Sequence, residues 1–475
     1  MSSDKKKTAV MLNDTNNMHT ESSLSFANPN PLHTTKQQKF ALAAISVGLF
    51  MPLLMWFTRG GIQFQGIISV AYLFVSFTLI TVGTYFFVRG EYAHLPEGIK
   101  NNGVWFRSLT MRGVFAFMLG ILLCAFYTCL YWYPEYLYGL IRMFDPLSYF
   151  LRNAPADQWF TYGTFYTASV LLMGYKFAMK YRNNPYQLIR TASVCFFQLI
   201  FSFMLPSFFV RLHQPEYYFT YFWPLDYHKL VPDWKNQFSS IGSIGFFIMT
   251  VTLILTFFAT PILTYFYGKR WYCSWVCGCG ALAETVGDPF RQLSDKRLNA
   301  WKFERFSIYT VLVLVTVMTI LLWVNSFLGG AVLGSVTMSF SKWYGFIIGS
   351  MFSGVIGTGF YPILGARSWC RFGCPQAAIL GIFQKKKSKF RITTNGGQCI
   401  SCGNCSTYCE MGIDVRHYAQ RGQDIVRASC VGCGVCSAVC PRGVLRLENA
   451  DLDIDTRTSE LRTIHLSNNK ATINM

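Results

Sequence analysis

Eight apolar runs fill most of the chain between residues 39 and 365, and they restrict its fold more than any other feature. They fall at 39–58, 66–88, 113–133, 160–181, 191–210, 241–266, 306–327 and 344–365. Each is about the 20 residues that a bilayer's hydrocarbon core demands. Backbone groups in lipid have no water to bond, so such runs must satisfy themselves internally, as helices. Hydrophobic residues make up 52% of the chain and charged residues only 14%, which excludes an ordinary soluble protein. The expected fold is a multi-spanning α-helical membrane protein of about 8 transmembrane helices, with polar extensions at both ends.

Residues 1–38 are polar, carry Lys5, Lys6 and Lys7, and read as a disordered cytoplasmic tail. The first apolar run is long enough to span and reads as a retained helix rather than a cleaved signal. One set of loops holds Arg89, Lys100, Arg107, Arg112, Lys176, Lys180, Arg182, Arg190, Lys269, Arg270, Arg291, Lys296, Arg297, Lys302 and Arg305. The alternate set holds only Arg59, Arg142, Arg152, Arg211, Lys229, Lys235 and Lys342. The richer set is expected in the cytoplasm, which places both termini inside a bacterial inner membrane. The net charge of +19 follows from the same loops. No basic helix or stacking platform points to nucleic acid, so the expected partner is the membrane.

Two outside loops are long. The first, 134–159, offers a short interfacial helix around Leu147–Arg152. The second, 211–240, is rich in aromatics, including Tyr217, Tyr218, Tyr221, Phe222, Trp223 and Trp234. It reads first as an interface belt, with a partner-docking surface or the rim of a quinone pocket as the alternatives.

The chain has 16 cysteines, and all but Cys124, Cys129 and Cys195 fall after residue 270. Those three lie in apolar runs and read as packing residues. Tight clusters beside basic loops suggest metal ligation on the reducing side rather than disulfides. In the tail, Cys399-x2-Cys402-x2-Cys405-x3-Cys409 is followed by Cys430-x2-Cys433-x2-Cys436-x3-Cys440-Pro441. Three thiolates on a tight loop can grip three corners of an iron–sulfur cube, while the fourth cysteine of the run reaches the other cube. One [4Fe–4S] cluster is thus expected on Cys399, Cys402, Cys405 and Cys440, and a second on Cys430, Cys433, Cys436 and Cys409. Paired zinc sites are the alternative for such cysteine pairs. Glu410 stands where the pattern often has proline. Gly403, Gly432 and Gly434 permit the close backbone approach that lets amides bond to cluster sulfurs.

Two further motifs follow the sixth and eighth runs: Cys273-x3-Cys277 and Cys370-x3-Cys374-Pro375. A four-residue step places two thiols on one helical face, and two such faces could converge on a further metal or redox site. Copper(I), a redox-active thiol pair and an additional iron–sulfur centre are all open readings, beside a structural role at a helix end. Trp271, Trp275 and Trp369 read as interface anchors. None of the seven histidines lies mid-run, so paired haem ligands are missing, and no dinucleotide fingerprint is evident.

Residues 242–447 resemble the membrane polyferredoxin family that includes NapH, NosR and CcoG, on the paired Cys-x3-Cys motifs followed by the double ferredoxin run. Cys370-x3-Cys374-Pro375 carries the family's Cys-x3-Cys-Pro pattern, whereas Gly278 replaces proline after Cys277 and Cys279 is extra. The resemblance implies a C-terminal α+β two-cluster ferredoxin-like domain. It also implies electron delivery linked to quinol or a cytoplasmic donor, or maturation of a copper enzyme. The expected organisation is a tail (1–38), an N-terminal membrane domain (39–240), a Cys-x3-Cys membrane domain (241–383), a basic linker (384–398), the ferredoxin-like domain (399–447) and a C-terminal tail (448–475). The linker, with Lys385, Lys386 and Lys387, is expected to contact anionic headgroups. The expected function is electron transfer between a quinol pool or soluble ferredoxin and respiratory complex subunits, as a component rather than a stand-alone enzyme. A copper-handling assembly factor is the alternative, and quinone and copper are the further cofactors these readings admit.

Overall fold

A computed structural model describes residues 35–58, 67–93, 107–329, 334–395 and 398–449, with the backbone of 464–467 and 470–473. Expectations about the N-terminal tail, and most of those about 448–475, lie outside the described residues. Among the described residues, six helices are long and apolar enough to cross a membrane. They are α1 (Lys36–Phe57), α2 (Ile67–Tyr92), α3 (Val114–Trp132), α6 (Pro185–Arg211), α7 (Ser243–Tyr267) and α10 (Leu298–Phe327). The other two expected runs are also helical. The run 160–181 lies in α5 (Gln158–Lys180), and 344–365 follows α11 (Gly334–Tyr344) into a π-helical stretch, Gly345–Ile356. Neither is among the six.

Local chemistry sets the element ends. Thr35 and Gln38 cap α1 reciprocally, each side chain bonding the other's backbone N–H. α1 and α2 pack closely at glycine: a Cβ on Gly48 would lie 2.7 Å from Ile80, and one on Gly83 2.8 Å from Ile45. Two π-helical stretches, Phe197–Met204 in α6 and Ile254–Ala259 in α7, each precede a proline, Pro206 and Pro261. A proline lacks the N–H for the i−4 bond and crowds that carbonyl, and a widened turn upstream accommodates it.

The expected interfacial helix is α4 (Asp145–Arg152). Residues 211–240 depart from the belt reading. Tyr217, Phe222 and Trp234 are buried, and the segment folds back between the helices. Thr220 bonds Ser202 of α6 at 2.9 Å, and Phe222 meets Tyr272 edge-on at 5.0 Å. An irregular backbone between helices is tolerated where protein surrounds it.

After α7 come the short α8 (Arg270–Cys273) and α9 (Gly278–Thr285); after the π-helical stretch come α12 (Ser368–Phe372) and α13 (Pro375–Lys387). The segment 384–398 is not a free linker. Its first residues complete α13, with Lys385, Lys386 and Lys387 exposed. Its later part is β1 (Arg391–Thr394), which pairs antiparallel with β2 (Leu445–Glu448) in the register Arg391↔Glu448 to Thr394↔Leu445. Between these strands lie α14 (Asn404–Thr407), α15 (Val415–Gln420) and α16 (Val435–Ala438). One apolar core joins the tail to the segments that follow the helices, running from Phe222, Tyr272 and Cys273 through Leu380 and Phe390 to Met411 and Val431.

Candidate metal centre

The two tail runs fold alike. Ser401 (φ 60°) and Gly403 (φ 79°) in the first run correspond to Gly432 (φ 64°) and Gly434 (φ 73°) in the second. Each left-handed residue turns the chain tightly, and α14 or α16 then begins. Cys405 has Cys402, Cys440 and Cys399 as its neighbouring thiols. The same four line one small cavity with Gly403 and Arg416. Cys436 has Cys433, Cys430 and Cys409 as neighbours, and then Cys405. The fourth cysteine of each run therefore sits with the other run, and the two quartets adjoin.

These thiols suit a cluster chemically. Ile413 N–H donates to Cys409 Sγ at 3.4 Å, and amides of Ser406, Gly432 and Val435 face Cys405, Cys430 and Cys433. Such donors stabilise sulfur charge. Burial pushes Cys405 up to about 12, and Cys430 and Cys433 up to about 11. Thiolates here need a cationic core to offset desolvation. Among the described residues, no three of His, Cys, Asp and Glu gather closely enough for one metal ion. A single zinc holds its sulfurs about 2.3 Å from one point, whereas a cube spreads them over four irons.

The membrane-edge motifs do not form helical faces as the four-residue step suggested. In each, the first cysteine lies in a short helix, the chain turns, and the second caps a new helix. Cys273 ends α8 and Cys277 is the N-cap of α9; Cys370 lies in α12 and Cys374 is the N-cap of α13, accepting from Ala377 N–H at 3.4 Å. Pro375 cannot extend the preceding helix, but it fits the first turn of a new one. Gly278 does the same without proline, and a Cβ there would meet the Tyr221 hydroxyl. Five residues before each first cysteine stands a glycine at positive φ, Gly268 or Gly365, and three before it an arginine, Arg270 or Arg367. The two halves thus repeat one local design, and their four thiols converge. Cys273 neighbours Cys277 and Cys370, and Cys374 neighbours all three. Cys279 is hydrogen-bonded to Cys277, which holds the Cys277 thiol below its ordinary value. Trp369, expected as an interface anchor, is buried against Phe352.

Between edge and tail runs a buried chain of charges that sequence reasoning missed. Lys180 meets Asp288 at 3.0 Å, Asp288 meets Arg291 at 2.9 Å, and Arg291 meets Glu410 at 3.0 Å. Glu410 meets Arg367 at 3.0 Å, Arg367 meets Glu284 at 2.6 Å, and Glu284 pairs with Arg190. Burial alone would raise the Glu410 carboxyl, but Arg291 and Arg367 hold it below its ordinary value. Arg367 also donates to the Cys273 carbonyl at 3.2 Å and approaches Cys370 Sγ at 3.7 Å. Membrane-domain side chains grip the loop of the second cysteine run directly. Ser274 bonds the Val431 carbonyl at 2.8 Å, Tyr186 that of Gly432 at 2.9 Å, and Gln187 that of Cys433 at 2.9 Å. The one available sign in the sequence was Glu410, an acid in the place of a common proline.

Family models match the same regions. Residues 245–297 and 345–393 match a family model described as a 4Fe-4S binding domain, and 398–445 match one described as a 4Fe-4S dicluster domain. The chain is 27% identical over 173 residues to "Putative electron transport protein YccM" of Escherichia coli, covering 31% of this chain and 43% of that protein. It is 28% identical over 186 residues to "Uncharacterized protein MJ0750" of Methanocaldococcus jannaschii, covering 38% of this chain and 72% of that protein. The match thus spans less than half of YccM. No solved structure matches the chain.

Proposed function

We propose that this chain, an iron–sulfur membrane protein by its matched domains and its apolar helices, passes electrons between a quinol pool or soluble donor and a membrane-associated redox partner. The observation that carries the reading is one buried apolar cluster that holds Cys273 and Cys277 of the edge together with Cys405, Cys430 and Cys436 of the tail. Cys399, Cys402, Cys405 and Cys440 would hold one cluster, and Cys430, Cys433, Cys436 and Cys409 the second. Cys273, Cys277, Cys370 and Cys374 would hold a third centre, supported by the 4Fe-4S binding model that matches both of their segments. Such clusters supply one-electron transfer. Lys269 is a charged neighbour of Cys273, Cys370 and Cys430 alike, so the second tail cluster faces the edge thiols. The first would face outward, where its cavity opens.

The same reading takes all eight apolar runs as spans, the tail as an α+β ferredoxin-like domain, and both termini as cytoplasmic at a bacterial inner membrane. The relative named for electron transport supports it. Cys279, a fifth thiol at the edge, gives the copper-handling alternative its footing; metal analysis of pure protein separates iron from copper there.

Anaerobic purification followed by EPR under dithionite titration tests the proposal. Cubane signals that exchange electrons with a quinol or a soluble ferredoxin are expected. Signals that exchange with neither would remove the transport role, and zinc without acid-labile sulfide would remove the clusters.

A further inference from the structure

We propose that the cavity beside the edge thiols is the headgroup site of a lipid-soluble quinone carrier, bound by Gln198, Tyr166 and Tyr221. This inference rests on the electron-transfer reading above and gives it a membrane-side site. The cavity measures about 550 Å³, within the usual range for a small-molecule site. Its lining includes Cys279, Trp369 and Pro375, which adjoin Cys277 and Cys374. It also includes Glu216, Tyr218 and Asp226 of the segment that folds back between the helices.

Three observations narrow the ligand. The walls are rich in aromatics, including Tyr131, Phe160, Tyr162 and Tyr166, which suits a flat ring. No Lys or Arg lines the cavity, so a phosphate-bearing nucleotide would find no counter-charge. Gln198 carries a side-chain oxygen that is buried without a hydrogen-bond partner, on a residue only 4% exposed. A buried orphan acceptor is costly, so a ligand donor is called for. The π-helical stretch of α6 places it there. Its oxygen and the hydroxyls of Tyr221 and Tyr166 crowd around Gly278, the residue between Cys277 and Cys279. A hydroquinone O–H donates to such an acceptor, and tyrosine hydroxyls donate to the quinone carbonyl that replaces it.

Oxidation there balances simply. A hydroquinone bound there would give up two electrons, one at a time, to oxidised [4Fe–4S] centres held by the adjoining cysteines, and two protons, and would become a quinone. The protons would have carboxylate acceptors in the lining, Glu216 and Asp226. Tyr218 donates to Glu216 at 2.6 Å, and Asp226 lies 3.5 Å from Lys229. Arg152 and Asp157 are the further charges near Tyr218.

Full-length protein in nanodiscs, titrated anaerobically with a decyl-benzoquinol, tests the inference through the absorbance of its clusters. Saturable cluster reduction is expected. In Gln198→Leu the half-saturating concentration should rise about tenfold, the cost of one buried hydrogen bond. Tyr221→Phe should shift it in the same direction. Iron, acid-labile sulfide and reduction by dithionite should stay unchanged in both variants. Wild-type clusters reducible by dithionite but indifferent to the quinol would overturn this inference and leave the electron-transfer reading standing. So would two variants that titrate like wild type. Wild type without clusters would overturn both.

Discussion

Glu410 accepts a hydrogen bond from Arg367 at 3.0 Å, and neither side chain has measurable exposure. The first residue follows Cys409 of the tail, and the second precedes Cys370 of the membrane edge by three positions. Arg291 faces the other carboxylate oxygen at 3.0 Å without the alignment of a hydrogen bond. One carboxylate thus ties a tail ligand loop to two arginines of the membrane domain. Removing one member of a buried ion pair costs about 3–5 kcal/mol, because the remaining charge is stranded. Glu410→Ala should therefore lower the apparent Tm of the detergent-solubilised protein markedly and expose the tail to proteolysis. Glu410→Pro, which restores the usual ferredoxin residue, should be as damaging. A Glu410→Pro variant as stable as wild type would show that the pair does not hold the tail.

Gln384 is the second tie. Its oxygen accepts from Lys269 N–H at 2.6 Å, and its nitrogen donates to the carbonyls of Arg427 at 2.7 Å and Cys430 at 2.8 Å. Gln384→Leu keeps the volume and leaves these buried backbone groups unpaired, at about 1–3 kcal/mol for each that water cannot reach. Amide exchange should quicken in the loop around Cys430 before it quickens around Cys402. Equal protection in both loops would deny Gln384 this role.

The crosswise grouping of thiols makes a specific spectroscopic prediction. Cys440→Ser should perturb the cluster that Cys399→Ser perturbs, and Cys409→Ser the one that Cys430→Ser perturbs. EPR redox titration of the four variants should sort them into these two pairs. Sorting by position in sequence, with Cys409 beside Cys399, would overturn the assignment.

Much of this was legible in the chain. The double cysteine run marks an iron–sulfur segment by its spacing, and apolar runs declare themselves by length. The failures share a cause: tertiary partners far apart in sequence. Lys180, Arg190, Lys269 and Arg291 read as cytoplasmic loop charges, yet all are buried, and Lys180, Arg190 and Arg291 pair with Asp288, Glu284 and Glu410. The aromatic segment 211–240 read as a belt because composition does not reveal that Thr220 bonds Ser202. The edge thiols read as helical faces because the spacing does not say that Cys277 and Cys374 begin new helices.

Two residues at matching places in the tail runs provide the last test. Ser401 and Gly432 both have positive φ, at 60° and 64°. A non-glycine residue there costs about 1–2 kcal/mol, and Ser401 recovers part of it by bonding Gln420 Nε2 at 2.8 Å. The surroundings differ. A Cβ on Gly432 would lie 2.7 Å from Arg270 Cβ and 3.0 Å from the Phe390 ring, because this loop is pressed against the membrane domain. Sequence alone would treat the exchanges Ser401→Gly and Gly432→Ser as equivalent. Ser401→Gly should change stability by no more than about 1 kcal/mol, since relieved strain offsets one lost hydrogen bond. Gly432→Ser adds a steric clash to the backbone cost and should release the second cluster loop, with loss of about half the tail iron. Metal analysis and apparent Tm of the two variants measure the difference. If both retain full iron and wild-type Tm, the second loop does not dock on Arg270 and Phe390 as described.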